Sequence, residues 1–193
     1  MKVEPVVRAS FLKLYLRELP RIAKDDEDAV REALGPEAIT RIARTLAYEW
    51  LPITYEAAIV RAVHERRGDA GVHALGRGMG CAATRHAFLR TLIEAMIVMR
   101  GRRPETLFQI AMASWPRLIR NGGRNRYALL GPHEAIIWIE QFPDPMRYRP
   151  LFVRAAASVE VLLELARVRA TSAVELDREA CRAELRFRWT PLR

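Results

Sequence analysis

Four histidines, two cysteines, one glycine string and one acidic run are the places where this chain could do chemistry. His64, His73, His86 and His133 are the candidate ligands and general bases. A zinc-binding helix repeats its histidine four positions on, with a glutamate beside the first. His64-Glu65 begins such a pattern, but Gly68 stands where the second histidine is needed. Cys81 and His86 have four residues between them, a spacing that fixes no metal geometry by itself. His133 follows Gly131-Pro132 in a turn, and no Gly-x-Ser-x-Gly elbow offers an activated serine. Cys181 alternates onto the apolar side of a strand, where a thiol is buried and inert. These residues predict no catalytic centre and no metal site, hence a non-enzymatic protein.

Gly76-Arg-Gly-Met-Gly80 invites comparison with a phosphate-cradling loop. Such loops follow a strand and end in Gly-Lys-Ser/Thr, or carry an acidic residue at dinucleotide spacing. Neither accompanies this string, so it is expected to be a helix-to-helix loop where backbones approach closely. The acidic run Asp25-Asp26-Glu27-Asp28 lacks the glycine turn and distal glutamate of a calcium loop. It suits a helix N-terminus, where negative charge opposes the helix dipole.

The net charge is +9, and the excess lies in residues 61–126, which hold 13 basic and 4 acidic groups. Of the 32 basic residues 29 are arginine, a ratio that a GC-rich bacterial genome explains without a binding site. Arg100, Arg102, Arg103, Arg117, Arg120, Arg124 and Arg126 are the candidates for a basic surface. Arginine's planar fork suits phosphate and carboxylate. No nucleic-acid-binding motif accompanies these residues, so nucleic acid is the weakest partner reading, behind an acidic protein or ligand. No apolar run reaches the roughly 18 to 20 residues of a membrane span. The opening Met-Lys-Val-Glu-Pro-Val-Val-Arg lacks the h-region of a secretory signal, and the two distant cysteines are not expected to make a disulfide framework. A cytoplasmic protein is expected.

The elements that position these groups can be read from periodicity. Leu12, Tyr15, Leu16 and Leu19 mark a first helix, and Ile39, Ile42, Leu46 and Trp50 the stripe of a second that Pro36 opens. Ala58, Ile59, Ala62 and Val63 face inward on a third, closed by Gly68. Residues 83–99 and a segment opened by Pro104 are the most strongly helical. From Arg124 the period changes to two: strands at 126–130 and 135–142, a helix at 151–165, and strands at 168–176 and 180–190. The last alternates Cys181, Ala183, Leu185, Phe187 and Trp189 against Arg182, Glu184, Arg186 and Arg188. The fold class is α+β: a helical N-terminal half packed on a four-stranded antiparallel sheet with one intervening helix. A single domain spans 1–193, with 1–123 mainly helical and 124–190 strand–strand–helix–strand–strand.

Several local patterns also look familiar together. They are Trp50-Leu51-Pro52, Arg103-Pro104-Glu105, Trp115-Pro116-Arg117 with Gly122-Gly123, Gly131-Pro132-His133-Glu134-Ala135, and Cys181-x-x-Glu184-x-x-Phe187-x-Trp189. Over about residues 36–190 the chain resembles a myxobacterial family of roughly this length. That family is itself similar to the heme NO-binding, 4-vinyl reductase and TRAPP-subunit superfamily. The resemblance implies the same helical half on a four-stranded sheet. It also implies one of two roles: an assembly subunit, or a binder of small apolar ligands between helices and sheet. Heme NO-binding proteins clamp the propionates with Tyr-x-Ser-x-Arg; Tyr127-Ala-Leu and Tyr148-Arg-Pro do not match it. No heme or other cofactor is therefore expected, and no histidine is assigned to iron.

Two readings follow. The first is a regulatory or interaction module acting through protein contacts, as a homodimer, another homo-oligomer or an assembly subunit. The alternative is a sensor domain for a small hydrophobic ligand, with Phe108, Met112, Trp115, Trp138, Phe187 and Trp189 as candidate lining.

Overall fold

A computed structural model of the chain describes residues 4–85 and 87–192, with the backbone alone at 87–89 and 92. The alternation that opens at residue 182 becomes β7 (Arg182–Pro191), an interior strand of a four-stranded antiparallel sheet. Its neighbours are β4 (Arg124–Gly131), β5 (Glu134–Glu140) and β6 (Val168–Asp177), in the order β4-β5-β7-β6. Register places Ile137 opposite Leu185, Ala135 opposite Phe187 and Ala170 opposite Trp189. Because side chains alternate across a strand, these residues share one face, and all are buried. The other face carries Arg126, Trp138, Glu184, Arg186 and Arg188. There the Trp138 indole N–H donates to Glu184 Oε1 at 3.2 Å, under the Arg126 guanidinium at 4.0 Å from the ring.

The helical half is α1 (Ala9–Ile22), α2 (Glu27–Arg44), α3 (Ile53–Arg85), α4 (Ala87–Arg100) and α5 (Pro104–Leu118). Helix α6 (Arg149–Glu164) crosses between β5 and β6. Buried Ala9, Leu12, Tyr15 and Leu19 recur at three- and four-residue steps on α1, the stripe of a helix that covers a core. Pro104 and Pro150 occupy first-turn positions, where the missing N–H costs nothing. Left-handed backbone at Gly35 (φ 73°) and Gly68 (φ 60°) bends α2 and α3, so both glycines interrupt helices. Three short strands escaped the periodicity: β1 (Val6–Arg8), β2 (Trp50–Pro52) and β3 (Ile119–Arg120), paired in the order β2-β1-β3. Trp50 therefore belongs to β2, not to the stripe of α2, because Arg8 takes it as a strand partner. There its ring lies between two guanidinium groups, Arg8 at 3.9 Å and Arg120 at 4.2 Å.

The glycine string is a second correction, since Gly76, Gly78 and Gly80 lie inside α3 and not in a loop. A four-residue step puts Gly76 and Gly80 on the same helix face, and that face is pressed against α6. A Cβ at Gly76 would overlap the Arg154 carbonyl oxygen and stand 2.8 Å from the Ala157 Cβ. One at Gly80 would stand 3.0 Å from the Val161 Cβ and 3.1 Å from the Ser158 carbonyl oxygen. The Ser158 hydroxyl donates to the Gly76 carbonyl at 2.8 Å, pinning the two backbones together. Each glycine costs a helix about 1 kcal/mol relative to alanine, and the close approach of α6 outweighs it. Gly76→Ala is expected to lose roughly 1–3 kcal/mol by overpacking. A urea midpoint unchanged from the parent protein would contradict that contact.

Cys181 is a third correction. It stands in the turn before β7 with φ 49°, half-buried, and its carbonyl accepts the Gln141 N–H at 2.9 Å. The positive φ takes it off the strand, so β7 begins at Arg182, two residues later than the 180–190 read from the sequence.

Candidate ligand cavity

Between α3, α5, α6 and the inner face of the sheet lies a cavity of about 140 Å³. Ile137, Ile139 and Leu185 form its sheet wall, and Ile110, Ala111, Met112 and Trp115 come from α5. Met79 and Gly80 of α3, Ala155 and Leu162 of α6, Ile93 of α4 and Phe11 of α1 close the rest. Of the glycine string only Gly80 reaches the lining.

The polar groups in the lining are mostly satisfied by backbone. The hydroxyls of Thr84, Ser114 and Ser158 donate to the carbonyls of Cys81, Ile110 and Gly76. Asn125 Nδ2 donates to the Met112 carbonyl at 3.2 Å. Two buried N–H groups differ: Trp115 Nε1 and Arg154 Nε have no partner among the described residues. Arg154 is 6% exposed, and its guanidinium lies 5.3 Å from the Phe11 ring centroid. Its Nη2 donates to Glu56 Oε1, an ion pair wholly inside the protein, and the Tyr15 hydroxyl donates to the same oxygen at 3.4 Å.

Burial is the leading influence on each member of this triad. It pushes the Glu56 carboxyl above the ordinary carboxylate range against the pull of Arg154, and it pushes the Tyr15 phenol far up. Burial alone would lower the Arg154 guanidinium, but the Glu56 charge, Tyr15 and the hydrogen bond to Glu56 together raise it. The triad carries no net charge when Glu56 is ionised, the state in which Arg154 has its counter-charge.

The histidines stand elsewhere. His73 Nε2 meets Glu160 Oε2 at 2.9 Å, and the Ser172 hydroxyl donates to the other Glu160 oxygen at 2.6 Å. The carboxylate, not the imidazole, receives the serine proton, so this is no nucleophile–base pair. His64 lies 3.4 Å from Asp69, and the His133 ring packs edge-on to Trp189 at 6.5 Å. His86 lies outside the described residues. Among the described residues no group of three His, Cys, Asp or Glu side chains could hold a metal ion. No described helix is long and apolar enough to cross a membrane.

Of the aromatic and sulfur candidates, Met112 and Trp115 line the cavity. Phe108 is fully buried beside it and packs against Tyr127, Phe187 and Trp189, with ring centroids 5.8, 5.4 and 5.8 Å away. Trp138 is on the opposite face of the sheet. The arginines do not form one patch. Arg100, Arg102 and Arg103 flank the α4–α5 turn, with Arg100 donating to Gln109. Arg117 and Arg120 lie at the other end of the 15-residue α5, about 22 Å away at 1.5 Å per residue. Arg124 begins β4, and Arg126 pairs with Glu140 at 3.1 Å. The triad of Tyr15, Glu56 and Arg154 escaped sequence reasoning. Its only sequence signal is a charge on the apolar stripe of a helix: Glu56 among Ile53, Ile59 and Val60, and Arg154 among Leu151, Ala155 and Ala157.

A helical half laid on a four-stranded antiparallel sheet, with a cavity between them, has solved counterparts. The chain has the fold of H-NOX proteins. An H-NOX protein from S. oneidensis in the Fe(II)NO state is 12% identical, covers 95% of this chain and 99% of its own, and superposes with a TM-score of 0.59. A singly substituted, Fe(II) unliganded H-NOX protein from K. algicida is 5% identical over 95% of this chain and 96% of its own, with a TM-score of 0.59. A doubly substituted variant of Tt H-NOX is 11% identical over 96% and 97%, with a TM-score of 0.58. No protein-family model and no curated protein matches the chain.

Solved counterparts include proteins described by their heme and its distortion, so the cavity can be tested against that group. Ligands of drug size occupy roughly 300–1,000 Å³, and a porphyrin is no smaller. The 140 Å³ here is well short of that. The described lining has no His, Cys or Tyr to bind iron axially, only the thioethers of Met79 and Met112. The described residues of the cavity do not fit a heme.

Proposed function

We propose that this is a cytoplasmic, non-catalytic sensor domain that takes a small, largely apolar molecule into the cavity between α3, α5, α6 and the sheet. The observation that carries the reading is the cavity itself, at about 140 Å³ and lined chiefly by Ile, Leu, Met, Ala and aromatic side chains. Apolar cavities near 150 Å³ stay dry and accept benzene or xenon, so the size suits a compact molecule. The H-NOX likeness supports a sensor over a pure interaction module, and the misfit to heme points to a different ligand.

The test is to add benzene to the purified protein and follow melting temperature and Trp115 emission. At a concentration about 100-fold above Kd the stabilisation is about 2.7 kcal/mol, or roughly 5–10 °C for a chain of this size. Ala111→Phe, which fills the cavity from α5, is expected to abolish the shift. An unchanged melting temperature in the parent protein would sink the reading.

Partner contact is the second reading, supported by a different surface. Leu46 and Tyr48, 52% and 68% exposed, precede Trp50 where it lies between Arg8 and Arg120. Native mass spectrometry decides it: self-association gives a mass above the 22.1 kDa monomer, and a lone monomer removes that form of it.

A further inference from the structure

We infer that the ligand carries one neutral, hydrogen-bond-accepting oxygen on a small hydrocarbon body, as in a ketone, aldehyde or ester, and that this oxygen is taken up by the unpaired N–H groups of Arg154 and Trp115. The inference rests on the sensor reading and narrows it to a ligand chemistry. Its first support is an inventory. Among the described residues, Trp115 Nε1 and Arg154 Nε are the buried polar side-chain atoms of the lining that lack a partner, and both are donors. A buried N–H without an acceptor carries its full desolvation cost, which is larger for a charged group. A ligand oxygen that satisfies one or both recovers that cost, which a pure hydrocarbon does not.

Neutrality follows from the charge balance around Arg154. Its positive charge already faces the Glu56 carboxylate, and the Tyr15 hydroxyl donates to that same carboxylate. A ligand carboxylate would add an unmatched negative charge beside a buried ion pair that is already balanced, whereas a carbonyl oxygen adds none. The apolar remainder of the lining limits the rest of the molecule to hydrocarbon, and the volume limits it to a single small ring or short chain.

Cyclopentanone and its isostere methylenecyclopentane, each near benzene in bulk, separate the inference from the reading beneath it. Each probe is titrated into the parent protein, Trp115→Phe, and the double variant Glu56→Gln/Arg154→Met. Comparing each probe with itself across the proteins cancels its hydration. The ketone is expected to lose about tenfold in affinity on removal of a hydrogen bond to the charged donor, and a few-fold in Trp115→Phe. The hydrocarbon should hold its affinity in both. In the parent protein, the 15N-resolved signals of Arg154 Nε–H and the Trp115 indole N–H should move with the ketone and stay with the hydrocarbon. That measurement needs no variant to fold. If both probes bind and neither N–H signal responds to the ketone, the inference is overturned and the sensor reading stands. If neither probe binds, both fall. Tighter binding of cyclobutanecarboxylate than of the ketone would overturn the neutral head group.

Discussion

Arg154→Met, made alone, is expected to cost about 3–5 kcal/mol of stability, against a total for a domain of this kind of roughly 5–15 kcal/mol. The loss is not that of a favourable contact. It comes from leaving the Glu56 carboxylate, fully buried, without its counter-charge. Adding Glu56→Gln should recover most of the loss, because the amide is neutral and still accepts the Tyr15 hydroxyl. The sign of the pH dependence checks the mechanism. Burial already raises Glu56 in the parent, and Arg154 is what pulls it back down. Removing Arg154 raises it further, so in the single variant the folded protein holds the Glu56 proton to higher pH than the unfolded chain. Stability is then retained below the unfolded carboxylate range and lost as pH rises through the folded value. The deficit against the parent should be smaller at pH 5 than at pH 8. A deficit that is equal at both, or a double variant no more stable than the single, would show that the pair is not the source.

Phe108→Ala should lose a similar amount, about 3–5 kcal/mol, by leaving a void in the aromatic layer. Phe108 is fully buried and its ring touches Tyr127, Phe187 and Trp189, so it joins α5 to two strands of the sheet, β4 and β7. Urea unfolding should show a lower midpoint with the slope unchanged. Trp138→Ala is the comparison: a larger ring, but on the outer face, held by Arg126 and Glu184. If the Trp138 variant lost more than the Phe108 variant, the assignment of inner and outer faces would be reversed.

The sheet was the most legible part of the chain. A period of two over residues 182–191 survives in any context where one face is buried, and the register of Leu185 and Phe187 follows from it. The strands of two or three residues were not legible, because β1, β2 and β3 are too short to show a period. The glycine string misled in an instructive way. Local propensity treats Gly76 and Gly80 as breakers, while the approach of α6 makes them necessary; that term exists only once the two helices meet. The close backbone approach was readable from composition, but the helix was not. Met112 and Trp115 could be guessed as lining because they share a face of α5, yet the cavity is unfilled volume, and volume is not written in spacing. Glu56 and Arg154 are 98 residues apart, and nothing short of the tertiary fold pairs them.

The glycine face of α3 has one more consequence. Where Gly76 and Gly80 meet α6, there is no side chain to exchange, and adding one separates the helices. The opposite wall is built differently: Ala111, Met112 and Trp115 line it with side chains from α5, so substitution there is expected to reshape the cavity with less movement of α3 and α6. The bore can therefore be retuned residue by residue from one helix, as a lock is rekeyed without changing its case. A chain built this way can change the lining of its cavity while it keeps its fold.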